Sequence, residues 1–372
     1  MSVYIQSVKQ ISAQKPLSDE WFEQPVYYRD RRVPTINPDY TPYFSPLQAR
    51  RMCILLKRAL VLSRLTLKEV AVEMPDAIIS GTGLGCIDNT EKFLYSIMEN
   101  EEKFLQPTYF MQSTHNILSS TVAIDLKCHG YNNTYVHRGA SFENALLDAV
   151  MQIELKRAQT VLVGGFDELT DDYYQFFDRI GIWDFATGDK KCFAGEASVS
   201  PEKACFAGEV SVSPKESCFA GEAAVSMLLG NTRNEQSICE INDVGLMHKP
   251  THAQMRETLH TIFAKAGCAL SDIDVVLTGL SAHTENDRIY HDTIDALFGD
   301  IPIMQYKHLF GESFSSSAIG VYVALTCLRK GYAPAFLSAG KDEDINGIKR
   351  ILVYNHYRNK THSFILLTSC SN

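Results

Sequence analysis

The sequence predicts an α/β fold that is built from two similar halves. Two observations lead to this prediction: apolar strands that end in glycine alternate with amphipathic helices, and the same order recurs later in the chain. Residues 77–85, "AIISGTGLG", form the first such strand, and residues 274–280, "DVVLTGL", form its counterpart. Such apolar runs are typical of strands that are buried on both faces. A junction at residues 231–237 then gives expected halves of 46–232 and 233–372.

Residues 1–45 are polar and interrupted by prolines, which predicts an N-terminal extension. Residues 47–62 predict a basic amphipathic helix at the start of the first half. The glycines at the end of the first strand lack the G-x-G-x-x-G spacing of a dinucleotide-binding loop. We therefore expect no cofactor.

A helix that begins at Ser141 is predicted from the spacing of its apolar residues, which are Phe142, Ala145, Leu146, Ala149, Val150 and Ile153. Ser141 can accept the first free backbone N–H groups, and Glu143 suits the positive end of the helix dipole. A buried strand follows at residues 160–163 and stops at a glycine pair. Residues 137–140 therefore lead into a helix N-terminus, which is a favoured position for a nucleophile.

The second half contains a similar helix after Ser315, and Gly331 lies just past its predicted end. The apolar face of this helix comprises Ala318, Val321, Tyr322, Leu325 and Leu328. Residues 351–357 and 362–369 predict two adjacent strands that complete the second half.

The composition is that of a globular protein, with 372 residues of which 45% are hydrophobic and 21% charged. We expect no export signal and no membrane insertion, because no apolar stretch reaches the roughly 18 residues of a membrane helix. The 10 cysteines include no C-x-x-C pair, which favours reduced thiols in the cytoplasm and does not support a metal site. A net charge of −9 argues against nucleic acid as a partner. A solvated surface is the favoured interpretation of one basic cluster, which comprises Arg29, Arg31, Arg32, Arg50 and Arg51.

Three similar segments of 13 residues begin at Cys192, Cys205 and Cys218, and they read "CFAGEASVSPEKA", "CFAGEVSVSPKES" and "CFAGEAAVSMLLG". Solenoid repeats are longer, at about 20 to 50 residues. The segments are therefore interpreted as a local duplication inserted at residues 192–230, whose last copy continues into the original strand. Metal binding is not expected, because the cysteines lie a full period apart without histidine among them.

Several motifs occur in a fixed order: "QPTYFMQSTHNILSSTVAI", "GYNNT", the turn at residues 137–140, "VLVGGFDE", "FAGEAAVSMLL" and "KHLFGESFSSSAIGVYVALTCLRKGYAP". This ordered set resembles the β-ketoacyl-acyl-carrier-protein synthases and covers residues 45–370. The resemblance implies a thiolase-like fold, in which two duplicated α/β halves form five layers, α-β-α-β-α. It also implies that the protein works as a dimer.

The synthases of this family use a cysteine nucleophile at the strand-to-helix turn and two histidines that stabilise an enolate. By the resemblance, the cysteine position falls within one residue of Gly139, and the histidine positions fall on Gly279 and Glu312. Glycine carries no reactive group, and a carboxylate would repel an enolate. Lys307 is retained, His283 is offset by four residues, and "YNHYRN" at residues 354–359 replaces a glycine-rich gate. The resemblance therefore implies an active site that has lost its catalytic residues.

The chain is most similar to the noncatalytic chain-length-factor subunits of type II polyketide and aryl-polyene synthases. Such a pseudoenzyme completes the acyl tunnel of a catalytic β-ketoacyl synthase in a heterodimer, and acyl carrier protein is a further expected partner. Two alternatives stay open: an enzyme whose nucleophile has moved to Cys128 or Ser141, and a self-paired acyl-binding scaffold. For Cys128, a small core thiol is the favoured role.

The resemblance also implies an acyl-tunnel and dimer face, which comprises Tyr109, Phe110, Met111, Gln112, His115 and Asn116. Tyr109, Phe110 and Met111 would form the floor of the partner's pocket. An ordinary core strand that leads into a helix, with His115 and Asn116 as buried polar groups, is the alternative. For Lys307, an internal ion pair with a carboxylate such as Glu168 is expected rather than substrate binding.

Overall fold

The computed structural model describes residues 1–28, 30–182, 219–340 and 343–370. The first half contains the strands β1 (Val3–Ile11), β2 (Ala77–Gly81), β3 (Tyr131–Tyr135), β4 (Thr160–Asp167) and β5 (Ala223–Gly230). Its helices are α1 (Pro46–Arg50), α2 (Ile54–Glu69), α3 (Ile87–Glu99), α4 (Pro107–Ser113), α5 (Ile117–Leu126), α6 (Ser141–Glu154) and α7 (Asp171–Arg179).

The second half contains the strands β6 (Cys239–His248), β7 (Val275–Thr278), β8 (Ile303–Gln305), β9 (Tyr332–Ala333), β10 (Ile345–Asn346), β11 (Arg350–Tyr357) and β12 (Thr361–Ser369). Its helices are α8 (His252–Ala266), α9 (Thr284–Leu297), α10 (Lys307–Phe310) and α11 (Ser316–Lys330). The predicted helices after Ser141 and Ser315 and the predicted pair of closing strands are confirmed.

The two halves have the same strand order. The long sheet runs β3-β2-β4-β5-β1-β6-β12-β11-β7-β8, which is a palindrome when β1 to β5 are matched with β6, β7, β8, β11 and β12. Strand β2 is parallel to β3 and β4, as β7 is parallel to β8 and β11. Strands β4 and β5 are antiparallel, as are β11 and β12. The topology therefore confirms the predicted duplication of an α/β half.

The helices complete five layers around the two halves of this long sheet. Helices α6 and α11 lie in the middle, where each contacts the other and strands of both halves. Their buried side chains, such as Phe142, Leu146, Val321 and Leu325, form the central core. Helices α2 and α5 cover the outer face of the first half, and α8 and α9 cover the outer face of the second. The α-β-α-β-α arrangement is the predicted thiolase-like fold.

Two elements of the first half differ from the sequence prediction. Residues 1–45 contribute β1, which was not predicted and which lies between β5 and β6 in the middle of the sheet. The single helix predicted for residues 47–62 is wrong, because the chain breaks between α1 and α2. Gln112 stabilises this break: its side chain donates to the Arg51 carbonyl and accepts from the Cys53 N–H. A partner 59 residues away therefore satisfies backbone groups that a continuous helix would have paired.

Most of the repeat lies outside the described residues, including the first two copies and Cys218. The remainder of the last copy leads directly into β5, as expected. Among the described residues, no helix has both the length and the apolar character that a membrane crossing requires.

Candidate functional site

The turn before α6 holds the predicted nucleophile position. Arg138 has a φ of 53°, a left-handed conformation that strains a residue with a side chain, and such strained turns are where nucleophiles are exposed. The next residue is Gly139, where a Cβ atom would lie 2.4 Å from Cδ2 of Tyr357 and 2.9 Å from its Cγ. The Tyr357 ring therefore fills the space into which a side chain at Gly139 would project.

Tyr357 belongs to a cluster that we call the aromatic plug, which comprises Arg138, Phe314 and Tyr357. The rings of Phe314 and Tyr357 meet edge to face with their centroids 5.9 Å apart, and the Arg138 guanidinium lies 5.6 Å from the centroid of Phe314. Tyr357 comes from residues 354–359, where the resemblance implies the loss of a glycine-rich gate, and Phe314 follows Glu312 by two residues. The plug therefore brings together three parts of the site that the sequence analysis singled out.

The predicted position of the first histidine, Gly279, is enclosed by a second set of side chains. A Cβ atom at Gly279 would lie 2.3 Å from Oη of Tyr290, 2.4 Å from Oδ1 of Asn355 and 2.9 Å from Nζ of Lys307. Tyr290 donates to Asn355 Oδ1 at 2.6 Å, so these groups are also bonded to each other. A histidine at residue 279 cannot be accommodated unless these three side chains move.

Glu312, at the predicted position of the second histidine, forms an ion pair. Lys307, which is only 4% exposed, donates to Glu312 Oε2 at 2.5 Å, and the Ser316 hydroxyl donates to Oε1 at 2.9 Å. Burial alone would lower the pKa of Lys307, but the charge and hydrogen bond of Glu312, together with the charges of Tyr306 and Asp287, outweigh burial and the pKa is raised. The expected internal ion pair of Lys307 with a carboxylate is confirmed, but the partner is Glu312. Glu168, the carboxylate named as an example, instead accepts the Asp88 N–H at 3.0 Å.

A buried network around Glu143 was not predicted as part of the site. Glu143 is 2% exposed, and its Oε1 accepts from Nδ2 of Asn355 at 3.1 Å, which connects it through Asn355 to Tyr290. Burial raises the pKa of Glu143. The signal in the sequence was the presence of polar residues within buried elements, at Asn355 in the apolar strand β11 and at Glu143 in α6.

Ser141 and Cys128, the two candidates for a relocated nucleophile, both have structural roles. Ser141 is fully buried, and its hydroxyl accepts the His137 N–H at 2.8 Å and lies 2.7 Å from the Arg138 carbonyl. Cys128 is buried in the outer core of the first half, where its thiol donates to the Pro75 carbonyl at 3.2 Å.

His283, the histidine that is offset by four residues, caps α9 by accepting the Asn286 N–H at 3.3 Å.

The predicted acyl-tunnel and dimer face lies mainly on α4, at the protein surface. Phe110 is 57% exposed and Met111 is 63% exposed, Tyr109 is partly exposed, and no residue of α4 is buried. His115 and Asn116 are exposed as well, so the alternative of a core strand with buried polar groups is wrong. Gln112 differs from its neighbours, because it bonds Asn89 at 2.8 Å in addition to the break before α2.

Further large apolar side chains are exposed on the neighbouring elements α3, α5 and β3 and in their connections. Strand β3 ends the long sheet, and among the described strands it pairs only with β2. A free strand edge beside exposed apolar residues is typical of a surface that contacts another chain. These residues are Leu94, Met98, Phe104, Ile124, Tyr131 and Val136.

The other predicted sites receive little support from the geometry. Arg32 of the basic cluster pairs with Asp171 and with the Leu169 carbonyl, and Arg29 lies outside the described residues. In the described ranges, no three or more His, Cys, Asp or Glu side chains are grouped so that they could hold a metal ion.

The duplicated five-layered arrangement is that of a thiolase-like fold. Residues 19–191 match the sequence family described as "Beta-ketoacyl synthase, N-terminal domain". The chain therefore has a thiolase-like fold, and residues 19–191 are similar to the β-ketoacyl synthases. No curated protein sequence matches it.

Solved structures show the same fold over the whole chain at low sequence identity. "The ishigamide ketosynthase/chain length factor" has a TM-score of 0.78 and 14% identity, and covers 100% of this chain and 99% of its own. A β-ketoacyl synthase from Burkholderia phymatum STM815 has a TM-score of 0.77 and 13% identity, and covers 100% of both chains. A type II polyketide acyl-carrier protein in complex with its ketosynthase, bound to the hexaketide, has a TM-score of 0.73, 14% identity and 99% coverage of both chains.

Proposed function

We propose that this chain is a noncatalytic, chain-length-factor-like subunit. It pairs with a catalytic β-ketoacyl-acyl-carrier-protein synthase and shapes the acyl tunnel of that synthase in polyketide, aryl-polyene or fatty-acid-like biosynthesis. The observation that carries the proposal is the occupation of the predicted catalytic positions by other groups. Tyr357 fills the space at Gly139, Tyr290 and Asn355 fill the space at Gly279, and Lys307 neutralises Glu312.

Condensation by this class of enzyme needs a nucleophile and donors aimed at an enolate oxygen. The turn before α6 offers arginine, which stays protonated, and glycine, which has no side chain. At residue 312 the Lys307 ammonium is bonded to a carboxylate, so its charge is not directed at a substrate. These residues support a structural role for the site and not a chemical one.

The exposed surface of the first half supports the binding of a partner protein. The exposed residues of α4 and the free edge of β3 give an apolar face on one side of the first half. Proteins of this fold include a ketosynthase/chain length factor and a ketosynthase in complex with an acyl-carrier protein, which makes a catalytic synthase and a carrier protein suitable partners. We place the complex in the cytoplasm.

A self-paired acyl-binding scaffold is the second candidate, because the same apolar face would also fit a second copy of this chain. Co-expression of the tagged chain with candidate catalytic synthases, followed by native mass spectrometry, separates the two candidates. A one-to-one complex with a synthase supports the proposal. A homodimer that excludes every synthase contradicts it and favours the scaffold.

The purified chain is expected to gain no covalent acyl mass from acyl or malonyl carrier protein and to release no carbon dioxide. The reason is the absence of a nucleophile at the turn before α6. Intact-mass spectrometry and a carbon dioxide assay make the measurement, with an active synthase as the positive control. An acyl adduct on the chain would overturn the noncatalytic assignment.

Gly139→Cys is expected to remain inactive and to be less stable than the parent. The new Cβ would meet the Tyr357 ring, and overpacking of this kind costs about 1–3 kcal/mol. The histidine positions, Gly279 and Glu312, would also still lack the donors that stabilise an enolate. Gly139→Cys with Tyr357→Ala is the matched control, which should restore stability without restoring condensation. Measurable condensation by either variant would show that the histidine positions are assigned incorrectly.

Deletion of residues 192–217 is expected to leave a soluble dimer. The last repeat copy alone supplies the residues that lead into β5, and insertions in surface loops change stability little. Ile182 and Ala220 border the same small hydrophobic cluster, so the ten residues left between 182 and 219 suffice for the connection. Size-exclusion chromatography and thermal unfolding test this prediction. Aggregation of the variant would mean that the deleted copies are part of the core.

A further inference from the structure

The part of the last repeat copy that precedes β5 lies in a slot between two other segments of the backbone. On one side, the Ala220 N–H donates to the Arg31 carbonyl at 2.7 Å, and the Val33 N–H donates to the Ala220 carbonyl at 2.8 Å. On the other side, the Gly221 N–H donates to the Glu312 carbonyl at 2.8 Å, and the Glu312 N–H donates to the Phe219 carbonyl at 2.7 Å. We call this place, which holds residues 219–222, the FAGE slot.

The slot selects the first three side chains of its occupant by size. Phe219 is 3% exposed and packs with Ala13, Tyr28 and Val33. Ala220 is fully buried, so a larger side chain would have no room. At Gly221 a Cβ atom would lie 2.8 Å from the Phe310 carbonyl oxygen and 2.9 Å from Cα of Gly311, so only glycine fits.

The slot selects the fourth side chain by charge. Glu222 Oε1 accepts from Arg58 Nη2 at 2.8 Å, and Oε2 accepts the Leu169 N–H at 2.9 Å. Burial would raise the pKa of Glu222, but the charge and hydrogen bond of Arg58, together with the hydrogen bonds of Leu169 and Thr35, outweigh burial and the pKa is lowered. Arg58 is 1% exposed, so an occupant without a carboxylate would leave a buried guanidinium without its partner.

The same four residues occur twice more in the chain, at residues 193–196 and 206–209, which lie outside the described residues. Both upstream copies therefore satisfy every requirement of the slot. The upstream copies cannot form β5 in the same way. Pro201 and Pro214 occupy the position of Met227 in the last copy, and Met227 pairs with Val8 and Val163 in the sheet. Proline cannot donate a ladder hydrogen bond.

We propose that the FAGE slot is a recognition site for the tetrapeptide Phe-Ala-Gly-Glu and that residues 193–196 and 206–209 are alternative occupants of it. If residues 206–209 enter the slot while β5 stays paired, the residues between them form a loop of 13. The entropy cost of closing a loop rises only slowly with its length. In the parent chain the last copy occupies the FAGE slot, because it alone continues directly into β5.

The test compares Glu222→Gln alone with Glu222→Gln combined with Glu196→Gln and Glu209→Gln, in the full chain. If upstream copies replace a weakened last copy, the triple variant should melt about 5 °C below the single variant. Glu196→Gln with Glu209→Gln alone should match the parent. Equal melting temperatures for the single and triple variants would overturn the proposal.

Three further comparisons are made. Met227→Ala is the matched control, and its effect should not depend on Glu196 and Glu209, because both upstream copies carry proline at that position. Phe219→Ala, alone and with Phe193→Ala and Phe206→Ala, repeats the test at a different side chain, and equal melting there would also contradict the proposal. If melting of Glu222→Gln depends on protein concentration no more than melting of the parent does, the occupant belongs to the same chain, and a stronger dependence assigns it to a second copy.

Discussion

Replacing Lys307 by methionine is expected to lower the free energy of unfolding by about 3 kcal/mol. The Lys307 side chain is 5% exposed and pairs with Glu312, so its loss leaves a largely buried carboxylate with only the Ser316 hydroxyl. Breaking a buried ion pair by removing one partner costs far more than removing an exposed charge. Urea denaturation of the purified chain provides the measurement.

Two variants show whether the Lys307 effect comes from the ion pair. Lys307→Met with Glu312→Gln should recover most of the lost stability, because no unpaired charge remains. Lys330→Met is the surface control: the Lys330 side chain is 44% exposed and its ammonium lies 3.6 Å from Glu23, so a change below about 0.5 kcal/mol is expected. If the double variant recovers nothing, Lys307 is stabilised mainly by another carboxylate, such as Asp287, whose charge also acts on its pKa.

The parts of the fold that could be predicted are those in which the spacing of apolar residues along the sequence indicates which side chains are buried. Helices α6 and α11 carry apolar residues at helical spacing, and β7, β11 and β12 are apolar runs. Strand β1 was missed because polar residues occur at its buried positions. Ser7 and Gln10 are almost completely buried, but they bond Glu69 and the Lys15 carbonyl, partners that the sequence of the strand does not reveal.

The candidate site also has features that the sequence could predict and features that it could not. A resemblance to a family can indicate that a position has lost its cysteine or histidine, because it compares one residue with one residue. It does not indicate which groups occupy the space. Tyr357 lies far from Gly139 in the sequence, and the carboxylate that pairs with Lys307 depends on the direction of a short helix, α10, and the turn after it. Tertiary packing alone decides these contacts.

The second large effect is expected at α4, and it rests on the proposed function. Phe110→Ala should allow the catalytic partner to make longer products without abolishing the complex. Phe110 is exposed, with its ring 5.3 Å from that of Phe93, so it can enter a partner's pocket without leaving the core of its own chain. A bulky ring at the floor of a tunnel stops extension sterically, because overpacking costs about 1–3 kcal/mol, and truncation leaves room for further carbons.

Chain-length analysis of products from the co-purified pair tests this assignment, with Tyr109→Ala and Met111→Ala measured alongside. Phe176→Ala is the matched control, because Phe176 on α7 is 53% exposed, close to the exposure of Phe110, and lies outside the predicted tunnel face. The control should leave product length unchanged. If all three α4 variants also give unchanged products from an intact complex, α4 does not form the tunnel floor. The subunit must then act by stabilising the synthase or by recruiting carrier protein, since neither role depends on the size of a side chain in the tunnel.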